Sequence, residues 1–215
     1  MLQRIELHAH TMLSDGYFTP CELARRAEVL GHTAIAITDH CGADVVEVIE
    51  KIKKECALVN KHWKIRAIAG VELTHVPPQS IPELAHIARM QGAKVVVVHG
   101  ETLAEPVAEG TNEFAAGCED VDILAHPGLI TYHVAKLAQD NDVFLEISSR
   151  KGHCLTNGHV VKIGKKAGAS FLVNSDAHQP EDILSPEKAY RVALGAGLDG
   201  DEAYLALYEN PKKFL

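Results

Sequence analysis

The chain has 215 residues, 47% of them hydrophobic and 23% charged, with a formal net charge of −8. That composition suits a globular protein with a substantial core. It contains no lysine- or arginine-rich run and no apolar stretch of membrane-spanning length, so a long nucleic acid and a membrane are not expected as partners.

Short strand-like runs alternate with amphipathic helical stretches along the chain. Strands are predicted at roughly residues 4–8, 34–38, 65–72, 94–98, 122–125, 143–148 and 170–174. Helices are predicted to start near Pro20, Asp44, Ile81, Pro106, Thr131 and Asn157. Thr19-Pro20 with Glu22 reads as an N-cap, a first-turn proline and a first-turn acid. Gly31, Gly92 and Gly168 stand where helices should end. Residues 185–215 look helical and are expected to pack across the outside of the fold. Seven β-then-α units without a hairpin signal predict a parallel sheet, open or closed into a barrel. A single domain spanning 1–215 is expected, with short loops beyond the strand ends and no elaborate lid over the site.

The five cysteines, Cys21, Cys41, Cys56, Cys118 and Cys154, are odd in number and lack Cys-x-x-Cys spacing. That argues against a disulfide framework and a zinc knuckle, and for reduced thiols in a cytoplasmic protein.

The most informative residues stand just past the strand ends. The chain reads His8-Ala9-His10 with Asp15-Gly16, Thr38-Asp39-His40, Gly70-Val71-Glu72, His99, His126-Pro127 and Ser175-Asp176-Ala177-His178. Imidazole and carboxylate are the usual ligands of borderline and hard divalent ions. On a strand, His8 and His10 project from one face. In a closed barrel the C-terminal strand ends converge on one mouth, which favours the barrel over the open sheet. The seven remaining histidines carry no such placement. His32, His62, His86 and His133 fall in or beside helices, His75 is not expected to be a ligand, and His153 and His159 flank the loop after the sixth predicted strand.

These motifs, taken together and in this order, resemble those of the PHP (polymerase and histidinol phosphatase) family from residue 5 to about 190. The resemblance implies an α/β fold, a distorted (β/α)7 barrel with a metal site at the C-terminal ends of the strands. It further implies two or three divalent ions, zinc, manganese or iron. One would be held by His8, His10, Glu72 and Asp176, a second by Glu72, His99 and His126, and a third by Asp15, His40 and His178. Asp15 as a carboxylate favours manganese or iron at the third. Such ions can clamp a phosphate and activate water, so the expected activity is phosphoester hydrolysis by a metal-bound hydroxide. Glu72 would bridge two ions, and Asp176 or His178 would relay a proton to the leaving oxygen.

Asp39 is expected to orient an imidazole from outside the ligand shell. Strand six supplies no ligand, so Arg150 in its loop is the candidate phosphate-binding residue, while Glu146 on that strand is assigned a structural hydrogen bond as readily as a site role. The substrate implied is a small phosphorylated metabolite. The alternatives within the family are a nucleotide phosphodiesterase or phosphatase, and a non-catalytic metal-binding module of the kind attached to polymerases. An amidohydrolase-type enzyme on a similar barrel is disfavoured by the missing catalytic-lysine motif.

Overall fold

The computed structural model describes residues 4–215; residues 1–3 of the expected unit lie outside it. The elements run in the order β1 (Arg4–Glu6), α1 (Pro20–Val29), β2 (His32–Ile37), β3 (His40–Cys41), α2 (Val45–His62), β4 (Arg66–Leu73), α3 (Ile81–Met90) and β5 (Val95–His99). They continue with α4 (Thr111–Ala116), β6 (Ile123–Ala125), α5 (Tyr132–Asp140), β7 (Phe144–Ser148), α6 (Asn157–Ala167), β8 (Phe171–Asn174), α7 (Pro186–Ala196) and α8 (Gly200–Tyr204). Every strand pairing is parallel, in the order β1-β2-β4-β5-β6-β7-β8, with the unforeseen two-residue β3 paired to β4.

Local signals set the boundaries. Thr19 Oγ1 accepts the Glu22 amide at 3.2 Å, and Gly31, Gly92 and Gly168 end their helices at φ of +92°, +93° and +76°. The fourth helix starts at Thr111 instead of near Pro106. The Glu101 carboxylate accepts the Gly110 and Asn112 amides (3.1 and 2.9 Å), and Asn112 Oδ1 accepts the Glu101 amide at 2.9 Å. Those bonds hold residues 101–110 as an ordered loop in place of a helical turn.

The barrel interior is graded. Ile68, Val95, Val97, Ile123, Phe144 and Leu172 belong to one inner apolar cluster. Further along the same strand faces come Glu72, His99, Glu146 and Asn174, because alternate residues share a face. Apolar packing thus fills the floor and the polar groups collect at the mouth. The outer faces, such as Val96 and Val98, pack against the helices.

Closure between β1 and β8 is incomplete as a ladder. It rests on an Ala9–Ala177 bridge, on Asp176 N–H donating to His8 O (3.0 Å) and His10 N–H to Ala177 O (2.9 Å), and on side chains. Arg4 Nη2 donates to Val173 O at 3.1 Å, Leu7 N–H to Asn174 Oδ1 at 3.2 Å, and Ser175 N–H to Glu6 Oε1 at 3.0 Å. This is the distortion in the barrel.

The C-terminal segment departs from expectation. Beyond α8 it turns under the barrel, where Phe214 packs on the inner cluster with its ring 6.0 Å from that of Phe144. It plugs the floor instead of only lying outside, because the short β1 and β8 leave apolar surface there to be covered. No helix among the described residues is long and apolar enough to cross a membrane.

Candidate metal centre

Seven strands deliver donors to one mouth. Backbone strain marks two of them: His126 and Asp176 have φ of +30° and +52°, a conformation non-glycine residues rarely adopt. Each turns its side chain inward just after its strand ends.

The first expected group is assembled. His8 Nε2 lies 3.0 Å from His10 Nε2 and 3.3 Å from Glu72 Oε1, and His10 Nε2 lies 3.6 Å from Glu72 Oε2. Asp176 Oδ1 is 3.7 Å from His8 Nε2 and 3.4 Å from His10 Nε2. Donors 2.0–2.1 Å from a tetrahedral ion stand about 3.3 Å apart, so these separations fit the edges of a coordination shell. Glu72 Oε1 is buried without a hydrogen-bond partner among the described residues, which an ion would remedy.

The third group also converges. Asp15 Oδ1 is 3.4 Å from His40 Nε2 and 3.2 Å from His178 Nε2, and the two Nε2 atoms are 3.4 Å apart. His10 joins this set within 4.8 Å, linking it to the first. His40 Nδ1 is held by Glu72 Oε2 and Thr74 Oγ1, both at 2.6 Å.

The second group forms differently from expectation. His126 Nε2 is 3.7 Å from Glu72 Oε1, but the near carboxylate of His99 is Glu105 Oε2, at 3.1 Å. The imidazoles of His99, His126 and His153 gather instead. His153 is buried, and its ring stands 4.1 Å from that of His126. Sequence reasoning left His153 open and passed over Glu105. The available signal was the long 100–110 segment, which brings Glu105 over the mouth and corrects the expectation of short loops.

Supporting groups separate into those that orient ligands and those that do not. Glu146 Oε1 takes His8 Nδ1–H at 2.8 Å, which turns His8 Nε2 toward the centre; its carboxylate also accepts Asn174 Nδ2–H and the His126 amide. Asp39 does not orient an imidazole. It accepts the Thr11 amide and hydroxyl and the Ser14 hydroxyl, at 2.7, 2.8 and 2.7 Å, and so fixes the loop that carries Asp15. Its backbone position before His40 points it away from the mouth. Arg150 lines the cleft, with Nη1–H donating to Asp176 O at 3.4 Å and lying 3.9 Å from Asp182 Oδ2. The cleft itself is about 220 Å³.

Burial keeps His10, His99, His126 and His153 unprotonated, as ligation requires, whereas at His40 burial is outweighed by Glu72 and Asp15, which raise it. Burial, reinforced by His40, holds His10 well below the usual histidine range. Burial, with His99 and His153 beside it, does the same to His126. Burial also brings His153 down to about 4. His8 also runs upward: burial opposes its charge, but Glu146, Glu72 and Asp176 outweigh burial and raise it. A divalent ion would replace that proton. Burial raises the Asp176 carboxyl well above its ordinary value, with Glu72 and Glu146 adding to the effect over the opposing His8 charge. The donor set therefore fits divalent ions.

Residues 6–161 match the family model of the PHP domain. The chain belongs to the PHP family. It is 50% identical to an uncharacterized protein of Methanocaldococcus jannaschii, over 99% of this PHP chain and 98% of that one. It is 26% identical to ribonuclease P protein component 3 of Methanosarcina barkeri, over 94% of this chain and 84% of the relative. It is 26% identical to a protein of Aliivibrio fischeri named as a probable phosphatase, over 86% and 82%. In fold it is similar to a chain in the cryo-EM structure of archaeal ribonuclease P with mature tRNA, at a TM-score of 0.68 and 17% identity, covering 97% of this chain and 87% of that one.

The ribonuclease P relatives overturn the expectation that restricted the partner to a small phosphorylated molecule and left out long nucleic acid. The physical reason lies in averaging: a net charge of −8 describes the whole chain, whereas one pocket beside the metal cleft is lined by three cations, Arg150, Lys188 and Arg191, against two acids, Glu181 and Asp182.

Proposed function

We propose that this PHP protein is a metal-dependent phosphoesterase acting on the phosphoester of a nucleotide or a nucleic-acid end. The observation that carries the reading is the convergence of His8, His10, Glu72 and Asp176 at coordination-shell spacing around a partnerless buried Glu72 oxygen. His99, His126, Asp15, His40 and His178 flank it as further ligands. Bound divalent ions would polarise the phosphoryl group and lower the pKa of water.

The chain's own residues supply the rest. Glu146 fixes the His8 ring. Arg150 reaches across Asp176 at the cleft wall and binds non-bridging phosphate oxygens. Asp176 serves as a carboxylate ligand, and His178 stands beside it with Nδ1 3.4 Å from Asp176 Oδ1, so that this pair lies where a proton can be relayed to the leaving oxygen.

The nucleotide preference rests on the neighbouring pocket of about 310 Å³, which shares Arg150 with the cleft and carries Lys188, Arg191 and Ser175 alongside Glu181 and Asp182, so that cations outnumber acids by one. Ser175 Oγ is buried without a partner among the described residues. A polynucleotide could extend over this rim. The free thiols of all five cysteines accord with a reducing, cytoplasmic setting.

A second reading is favoured by the ribonuclease P relatives: a metal-holding module within a protein–RNA assembly, without turnover. The deciding experiment presents manganese- or zinc-loaded protein with a mononucleotide, a 5′-phosphorylated oligonucleotide and p-nitrophenyl phosphate. Chelator-sensitive release of phosphate or nucleotide is expected, and Glu72→Gln should lower both metal content and turnover, the latter at least about 100-fold. Full metal occupancy with no turnover of any of them would leave the module reading standing.

A further inference from the structure

The metal centre straddles the seam between β1 and β8, the two ends of the sheet order. His8 and His10 stand on one side of it, Asp176 and His178 on the other. Between neighbouring strands such as β4 and β5, or β7 and β8, a backbone ladder fixes how the strand ends sit. Across the seam, the backbone contact among the described residues is the Ala9–Ala177 bridge with its two flanking hydrogen bonds. One bridge pins a point and leaves the two segments free to swing about it. Yet Asp176 Oδ1 must be held at 3.7 Å from His8 Nε2 and 3.4 Å from His10 Nε2.

Two buried side chains cross the seam deeper in the barrel. Glu6 Oε1 accepts the Ser175 amide at 3.0 Å and the His8 amide at 3.3 Å. Its Oε2 accepts Arg4 Nη2–H at 2.7 Å, and the same Nη2 donates to Val173 O at 3.1 Å. Asn174 bonds in the opposite direction. Its Oδ1 accepts the Leu7 amide at 3.2 Å, and its Nδ2–H donates at 2.9 Å to Glu146 Oε1, the oxygen that holds the His8 ring. Every group facing Glu6 is a donor, a demand that a carboxylate meets and an amide does not. The bonds also fall beside the ligands: Leu7 precedes His8, and Ser175 precedes Asp176, whose φ of +52° needs its surroundings to hold it.

We propose that Glu6 and Asn174 are positioning residues, which supply the second point of attachment along the seam and so fix the span between the His8 and Asp176 ligands. This role rests on the metal reading of the proposed function, and neither side chain is itself a ligand. Loosening the seam lets His8 and Asp176 part without dismantling the barrel, so metal affinity suffers more than folding does.

Zinc affinity of the intact chain, measured by chelator competition, tests this beside urea denaturation of the same proteins in EDTA. Glu6→Gln, which turns an amide donor toward other donors, and Asn174→Ala, which removes both seam bonds, should each weaken zinc binding at least about tenfold. A merely structural residue would lower the urea midpoint and leave the affinity of the folded protein alone. Val59→Ala, buried on α2 away from the seam, provides that comparison: its urea midpoint should fall with its zinc affinity within about twofold of wild type. Wild-type affinity in both seam variants would overturn the proposal, as would an equal loss in Val59→Ala. Should Glu6→Gln fail to fold because Arg4 is left buried beside it, Asn174→Ala decides alone. A wild-type protein that binds no divalent metal would instead sink the metal reading itself, and this role with it.

Discussion

Arg150 is the residue that ties the metal cleft to the rest of the surface. Its guanidinium has no ion pair shorter than 3.9 Å among the described residues, so it remains able to take a bidentate phosphate. Removing it should cost ground-state binding more than chemistry. Arg150→Ala is expected to raise KM for a nucleotide substrate about 10- to 100-fold, the range of one charge-assisted hydrogen bond, with a smaller change in kcat. Steady-state kinetics on the metal-loaded protein would show it; an unchanged KM would return Arg150 to a solvated loop. Glu146 offers a contrast at the same scale. Its two hydrogen-bonded side-chain partners, His8 and Asn174, give it the orienting hydrogen bond that the sequence left open beside a site role.

The loops, more than the strands, decide how the donors meet. Residues 126–128 turn under two constraints, with positive φ at His126 and at Gly128. A Cβ on Gly128 would lie 1.8 Å from Glu101 O, so the turn and the 100–110 loop can be adjacent only through glycine. Gly128→Ala is therefore expected to destabilise the fold by about 2–4 kcal/mol, from steric displacement and a strained φ together. It should also lower metal content, because His126 rides on one of the two displaced segments. Urea denaturation with parallel metal analysis would check both; a wild-type urea midpoint would show that the loops can part without cost.

The whole molecule carries a pH dependence separate from the metal centre. His32, at the start of β2, donates Nδ1–H to Ala27 O at 3.0 Å, and its buried Nε2 has no partner among the described residues. Burial, with the Arg4 charge beside it, pulls its pKa down to about 4. The unfolded chain takes up a proton below its ordinary value near 6.5, whereas the folded chain does so only near 4. Stability is thus complete above about pH 6.5 and falls as the pH drops toward 4, losing about 2 kcal/mol by pH 5. Denaturant melts in chelator at pH 7 and pH 5, compared with His32→Gln, should show a smaller drop in the variant. An equal drop would assign the acid sensitivity to other groups.

Much of this protein was legible in its sequence alone. The valine run near residue 95, the Thr19 cap and the terminal glycines are local features, and local features set strands, helices and their order. The His, Asp and Glu positions after the strands were equally plain, because a parallel barrel sends every strand's C-terminal end to one mouth. What only the tertiary structure decided is which donors stand together. His99 and His153 are separated by 54 positions and meet through two loops whose paths depend on Glu101, Asn112 and Gly152. The turning of Asp39 toward Thr11 and Ser14, and the folding of Phe214 under the barrel floor, were decided the same way. Periodicity fixes the face on which a side chain lies, but the partner it finds there depends on contacts between segments far apart in the chain.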